Sequence, residues 1–251
     1  MVITDSMLES RRFGLRIGRC EIEPTAEQVN TGQIGEGLSD YDVVILRYPA
    51  RLEKPFSEMM SFVSHRPLYA DTLMYWKTRL SSLASSPPRS GNHGIRLADL
   101  EELSSLVLPV FKDYPSHYTA NPLFKRADVL DGYVEWVTKL VDSGKAVCLV
   151  IETPSDSAAA FAVMTIDDFP DIKFGGIAER SRGAGLYRVL IEECMRYSQG
   201  LERSEIMIST QAHNLPVMSS WSTLGFKPFK AVTTVHLVRN ELLGAPSHSR
   251  A

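Results

Sequence analysis

The stretch that most constrains this chain is Ile172–Gln199, IKFGGIAERSRGAGLYRVLIEECMRYSQ. Phe174 to Ala178 is a short apolar run bounded by charge, which predicts a buried strand. Leu186, Val189, Leu190, Cys194 and Tyr197 recur at helical spacing and predict a helix with one apolar face. Between them lies Arg180-Ser181-Arg182-Gly183-Ala184-Gly185. Residues this small at the mouth of a helix leave backbone N–H groups uncovered, along the positive end of the helix dipole. Such a turn suits an anion, above all a phosphate or pyrophosphate. A tight strand-to-helix connection is the plain alternative, and the glycines alone do not decide between the two. A P-loop is excluded because no Lys follows Gly185, and the dinucleotide fingerprint is excluded because its third glycine position holds Arg188.

The other 223 residues must supply the rest of a fold, and a chain of 251 has room for one large domain or a small one plus a standard one. Hydrophobic residues at 44% and charged ones at 23% are enough for a proper core. A formal charge of −3 offers no attraction for nucleic acid or an anionic membrane, and neither is expected as a partner. Cys20, Cys148 and Cys194 are unclustered, with no CxxC, which suits a reducing compartment and predicts no metal site. The opening MVITDSMLESRRFGL lacks the apolar core of a signal peptide, and no apolar run approaches the ~20 residues of a membrane helix. A cytoplasmic location is the expectation.

Residues 1–80 read as a small N-terminal α/β domain. Arg12–Gly18 alternates around two glycines, Tyr41–Tyr48 is a buried strand stopped by Pro49, and Leu68–Trp76 is a third apolar segment. Glu27–Gly37 and Phe56–Val63 are short helix candidates. Ser, Pro, Gly and Asn dominate residues 81–93, which read as a linker. A strand at Gly94–Leu97 follows, then a helix from the N-cap Asp99 to about Phe111. Tyr114–Phe124 is an aromatic, proline-containing loop, and Ala127–Val141 is a helix. Ala146–Glu152 and Ala159–Ile166 form a hairpin around Thr153-Pro154-Ser155-Asp156. After the opening stretch come a strand at Glu205–Gln211, a helix from Leu215 to Leu224 stopped by Gly225, and a strand at Ala231–Val238. A flexible tail, 241–251, closes the chain.

R-x-x-G-x-G between a strand and a helix resembles the acyl-CoA pyrophosphate loop of the GNAT acyltransferase superfamily, [QR]-x-x-G-x-[GA]. A second motif agrees, since Asn214 precedes a helix ending in Leu224-Gly225-Phe226, similar to N-x-x-A-x-x-x-Y-x-x-x-G-F. The element order from residue 94 is also that of the superfamily. The resemblance implies an α/β GNAT fold over residues 94–240, a mixed sheet whose fourth and fifth strands splay apart around the acyl-CoA. SRRFGLRIGR, HYTANPLF and STQAHN…LGF…TTVHL further resemble the dTDP-fucosamine acetyltransferases, which acetylate a nucleotide-linked amino sugar.

By that resemblance the co-substrate is acetyl-CoA or another acyl-CoA, and no metal is needed. Arg180, Ser181, Arg182, Gly183, Ala184, Gly185 and Leu186 would hold its pyrophosphate. Gly176, Ile177 and Ala178 would pair with pantetheine amides, close strand packing being the other reason for Gly176. Asn214 would touch pantetheine near the sulfur, or serve only as the N-cap of its helix. Trp221 departs from the pattern: it stands where the superfamily has the Tyr that protonates the departing thiolate, and an indole N–H is no acid. It is expected to wall the CoA channel, and the general acid stays unassigned. His117, Tyr118, His236, His213 and Glu179 are the remaining candidates for proton transfer, the histidines and Glu179 each with a purely structural alternative. Attack would be direct, in a ternary complex, with Cys194 in the core. The acceptor is expected to be a small-molecule amine, foremost a nucleotide sugar, and the assembly a homodimer. Another small amine, or a non-catalytic acyl-CoA-binding module, are the rival readings.

Overall fold

A computed structural model describes residues 2–83 and 93–244, so most of the expected linker and residues 245–251 of the expected tail lie outside it. The chain opens with β1 (Thr4–Asp5), α1 (Met7–Phe13), β2 (Ile17–Glu21), α2 (Thr31–Glu36), β3 (Val43–Pro49), α3 (Lys54–Met59) and β4 (His65–Arg79). It continues with β5 (Gly94–Leu97), α4 (Leu103–Phe111), α5 (Arg126–Asp142), β6 (Ala146–Thr153), β7 (Asp156–Thr165) and β8 (Asp171–Ile177). It closes with α6 (Leu186–Gly200), β9 (Glu205–Gln211), α7 (Leu215–Thr223) and β10 (Lys227–Arg239), then a short 3₁₀ turn at Asn240–Leu243. From residue 94 onward the expected element order is the observed one. No helix among the described residues is long and apolar enough to cross a membrane.

The chain gathers into two units. One holds Met74–Tyr114 and Leu130–Phe229; the other holds Met1–Leu73, Pro115–Val129 and Lys230–Ala251. Tertiary packing therefore groups the residues differently from a single cut at 81–93.

In the unit with Leu130–Phe229, neighbouring strands run β9-β8-β7-β6-β5. All pairs are antiparallel except β8 with β9. Alternation along β6 and β7 shows why both faces are covered. Cys148, Val150, Phe161 and Val163 pack with Leu103, Val107 and Phe111 of α4 and Val137 of α5. Leu149, Ile151, Ala160, Ala162 and Met164 pack with Leu190, Ile191 and Cys194 of α6 and Trp221 of α7. Apolar residues at every strand position are what a sheet with helices on both sides requires. Asp99 caps the helical turn before α4 through a reciprocal capping box with Glu102, as its sequence suggests.

In the other unit the order is β1-β2-β3-β10. β10 pairs antiparallel with β3 from Val232↔Pro49 to Val238↔Val43, and β2 pairs parallel with β3. Val44, Leu46, Val235 and Leu237 meet Ile34, Leu38 and Met59 in its core. The alternation seen in Arg12–Gly18 is not a single extended segment. Phe13 ends α1, Gly14 closes it at φ +66° with its N–H on the Ser10 carbonyl, and β2 begins at Ile17.

Candidate functional site

The strand–loop–helix stretch sits where two parallel strands part. β8 and β9 are in register only at Asp171↔Met207 and Ile172↔Ile208, although β8 runs on to Ile177 and β9 to Gln211. On its other side β8 stays paired with β7 as far as Ile177↔Ala160, and the Ala178 N–H donates to the Ala159 carbonyl (2.9 Å). Backbone groups alternate in direction along a strand, so Gly176 and Ala178 turn theirs toward β7. Gly175 and Ile177 turn theirs toward the open edge. Of the three residues expected to meet pantetheine amides, only Ile177 therefore offers its own N–H to that edge. Gly176 has a packing role instead, since a Cβ built there would lie 2.2 Å from Val110 Cγ1 on α4.

Beyond β8, Gly183 and Gly185 take left-handed backbone at φ +81° and +72°, with open space where a Cβ would go. Gly185 occupies the N-cap of the 15-residue α6, and no side chain caps it. The first-turn N–H groups thus face outward at the positive end of the helix. Arg182 and Ala184 are exposed beside them, and Leu186 is half-buried. Arg180 and Ser181 are occupied differently from expectation. Arg180 Nη2 donates to Asp156 Oδ1 at 2.5 Å and Ser181 Oγ to Asp156 Oδ2 at 2.7 Å. Asp156 opens β7 with a side chain only 1% exposed, so this pair fastens the loop to the hairpin. Those hydrogen bonds, Arg180's foremost, pull the Asp156 carboxyl down to about 2.

Asn214 occupies the N-cap position of α7, but its side chain does not cap. Its Nδ2 donates to Thr210 Oγ1 at 3.0 Å, which ties it to the end of β9. Trp221 is 1% exposed and meets Trp76 edge-on at 6.1 Å, in the core rather than along a channel wall. Its Nε1 donates to the Tyr187 hydroxyl at 3.0 Å. Tyr187 was not among the residues singled out from sequence, yet it belongs to the first turn of α6. Burial pushes its phenol well above the ordinary range, with Tyr114 nearby adding to the effect. Tyr114 in turn donates to Gln211 Oε1, the last residue of β9. Glu179 is a solvated carboxylate, 78% exposed and 3.9 Å from Lys112 Nζ.

His117 and Tyr118 belong to the other unit, where both are engaged. The buried His117 Nδ1 and His236 Nε2 are 3.0 Å apart, and Asn121 Nδ2 lies 3.2 Å from His236 Nδ1. Burial, with His236 alongside, holds His117 well below the usual imidazole range. Its ring is therefore not the solvent-poised base expected near neutral pH. Tyr118 donates to Glu9 (2.5 Å) and accepts from Arg19 (3.1 Å). Among the described residues, no group of three or more His, Cys, Asp or Glu could hold a metal ion.

No family model matches the sequence, and no curated protein matches it. Solved structures do. A GCN5-related N-acetyltransferase from Sphaerobacter thermophilus is 16% identical with a TM-score of 0.51, over 78% of this chain and 60% of its own. A tandem GNAT protein from the clavulanic acid biosynthesis pathway is 13% identical with a TM-score of 0.57, over 88% and 74%. A GCN5-related N-acetyltransferase from Kribbella flavida is 12% identical with a TM-score of 0.55, over 89% and 81%. At these identities the likeness is one of fold: the chain has a mixed α/β GNAT fold. It spans 60% of the length of the Sphaerobacter protein.

Proposed function

We propose that this chain is an acyl-CoA-dependent N-acyltransferase, with acetyl-CoA as donor and the amino group of a nucleotide-linked amino sugar as acceptor. The observation that carries the reading is the parting of β8 from β9 beyond Ile172 and Ile208, with an uncapped helix N-terminus directly after β8. An open strand edge supplies donors and acceptors for an amide-bearing arm, and the helix mouth supplies donors for its pyrophosphate. Gly183, Ala184, Gly185 and Leu186 provide those N–H groups and Arg182 adds charge. Arg180 and Ser181 shape the loop through Asp156.

Catalysis in this reading is positioning. The Ile177 N–H polarises the thioester carbonyl, the free amine attacks it, and the thiolate leaves as the tetrahedral intermediate collapses. Asn214, drawn toward β9 by Thr210, orients the arm near the sulfur. Glu179, open to solvent, takes the amine's proton through water. The sugar acceptor rests on the similarity of HYTANPLF and STQAHN…LGF…TTVHL to the fucosamine enzymes. The free, buried cysteines suit a reducing compartment, and we place the enzyme in the cytoplasm.

The test is titration calorimetry with acetyl-CoA, followed by release of free CoA thiol across dTDP- and UDP-linked amino sugars and simple amines. Saturable binding with turnover on a nucleotide amino sugar is the expected result. Turnover only on unlinked amines discards the sugar, and failure to bind acetyl-CoA discards the whole reading.

A further inference from the structure

The leaving sulfur needs a donor, and the position that resembles the superfamily's acid holds an indole. The structure assigns that task to the Tyr187 hydroxyl, held in place by Trp221. This rests on the acyltransferase reading above and adds to it the group that stabilises the departing thiolate.

Four observations converge on Tyr187. It stands two residues after Gly185, in the first turn of the helix whose mouth faces the proposed pyrophosphate. It packs in the same cluster as Ile177 at the end of β8 and Val217 and Met218 of α7. Tyr114, bonded to the last residue of β9, is close enough to act on its ionisation. Tyr187 thus lies on the α6 side of the sheet that carries the parted strands. Among the described residues its hydrogen-bond partner is Trp221, and there the hydroxyl oxygen accepts. An indole N–H can only donate, so the phenolic proton is directed elsewhere.

The chemistry follows from relative acidity. A phenol raised by burial holds its proton more tightly than a thiol, whose ordinary value is about 8.5. Tyr187 therefore donates a hydrogen bond without surrendering the proton. As the C–S bond breaks, the electron pair passes to sulfur and the O–H···S bond stabilises the thiolate. The amine's proton leaves through water, so the products are the amide, CoA thiolate and one proton. Trp221 is a positioning residue, acting through the tyrosine.

The experiment compares CoA with desulfo-CoA by titration calorimetry above pH 9, on the wild type, Tyr187→Phe and Trp221→Phe. The wild type is expected to bind CoA several-fold more tightly than desulfo-CoA. Tyr187→Phe should abolish that preference while leaving desulfo-CoA affinity unchanged, and should lower kcat about 100-fold with little change in KM for acetyl-CoA. Trp221→Phe should reduce the preference without abolishing it. A 3-fluorotyrosine at position 187 keeps the shape with a more acidic phenol and should enlarge the preference, which covers the case of a Phe variant that does not fold. A preference that survives Tyr187→Phe, or is absent in the wild type, overturns this assignment alone. Failure to bind either ligand overturns the acyltransferase reading with it.

Discussion

Gly176 and His236 show how a single residue's surroundings decide its part. Because a Cβ at 176 would meet Val110 Cγ1, Gly176→Ala should cost about 1–3 kcal/mol in urea unfolding, and Val110→Ala should recover part of it. An unchanged midpoint would show that α4 yields freely. His236 is fully buried, and desolvation takes its imidazole down to about 3. The unfolded imidazole takes a proton near 6.5, so below that pH the unfolded state binds more protons and stability falls. The loss attributable to His236 should run from about pH 6.5 toward 3, and His236→Gln should flatten the upper part of that slope in unfolding curves at pH 7, 6 and 5. The sequence carried a signal for Tyr187 that the periodicity reading passed over. Tyr187, Leu190, Ile191 and Cys194 are also a helical stripe, and burial follows that face more than the one drawn through Leu186. A pattern tolerant of one-residue rotation cannot tell the two faces apart without the partner, here the indole of Trp221.

Among the elements, the loop between β8 and α6 was legible because an apolar run, two glycines and a helical stripe follow one another there, while its fastening to β7 was not. Asp156 read as part of a hairpin turn, and nothing in the local sequence joins it to Arg180, 24 positions away. The fastening has a pH signature. Folding lowers the Asp156 carboxyl from 3.8 to about 2, so the unfolded chain takes up the proton first as pH falls. The stabilisation is fully present above about pH 4 and is lost as pH falls toward 2. Arg180 is 69% exposed, so solvent screening weakens the contribution. Asp156→Asn should remove that segment of the pH–stability curve, measured by urea unfolding at pH 5, 4 and 3. It should also weaken acetyl-CoA binding several-fold at pH 7, because a loosened loop must be ordered by the ligand. Retention of full affinity would mean that the helix mouth is preorganised without the clamp. By contrast, α1 was missed: seven residues with mixed polarity carry too little periodicity to register.

At the scale of the whole chain, composition marks 81–93 as a boundary, but composition measures only local flexibility. Packing is set by which strands find partners, and the partner of β3 is β10, nearly two hundred residues later. Seven register pairs join them, and Val235 and Leu237 complete the core that Val44 and Leu46 begin. A fragment of residues 1–80 contains β1, β2, β3 and β4 yet lacks β10, which lies between β3 and β4. Its β3 would present an unpaired edge along its whole length, and its core would lose two fully buried side chains. Small units have little stability in reserve, so the fragment should show neither the far-UV circular dichroism of the intact unit nor dispersed amide resonances. Adding residues 115–129 and 230–240 as synthetic peptides should restore both in a concentration-dependent way, because together they supply the missing strand and the segment that packs with it. If residues 1–80 fold unaided, the boundary read from composition is the physical one. The pairing with β10 is then an addition to a unit already stable without it.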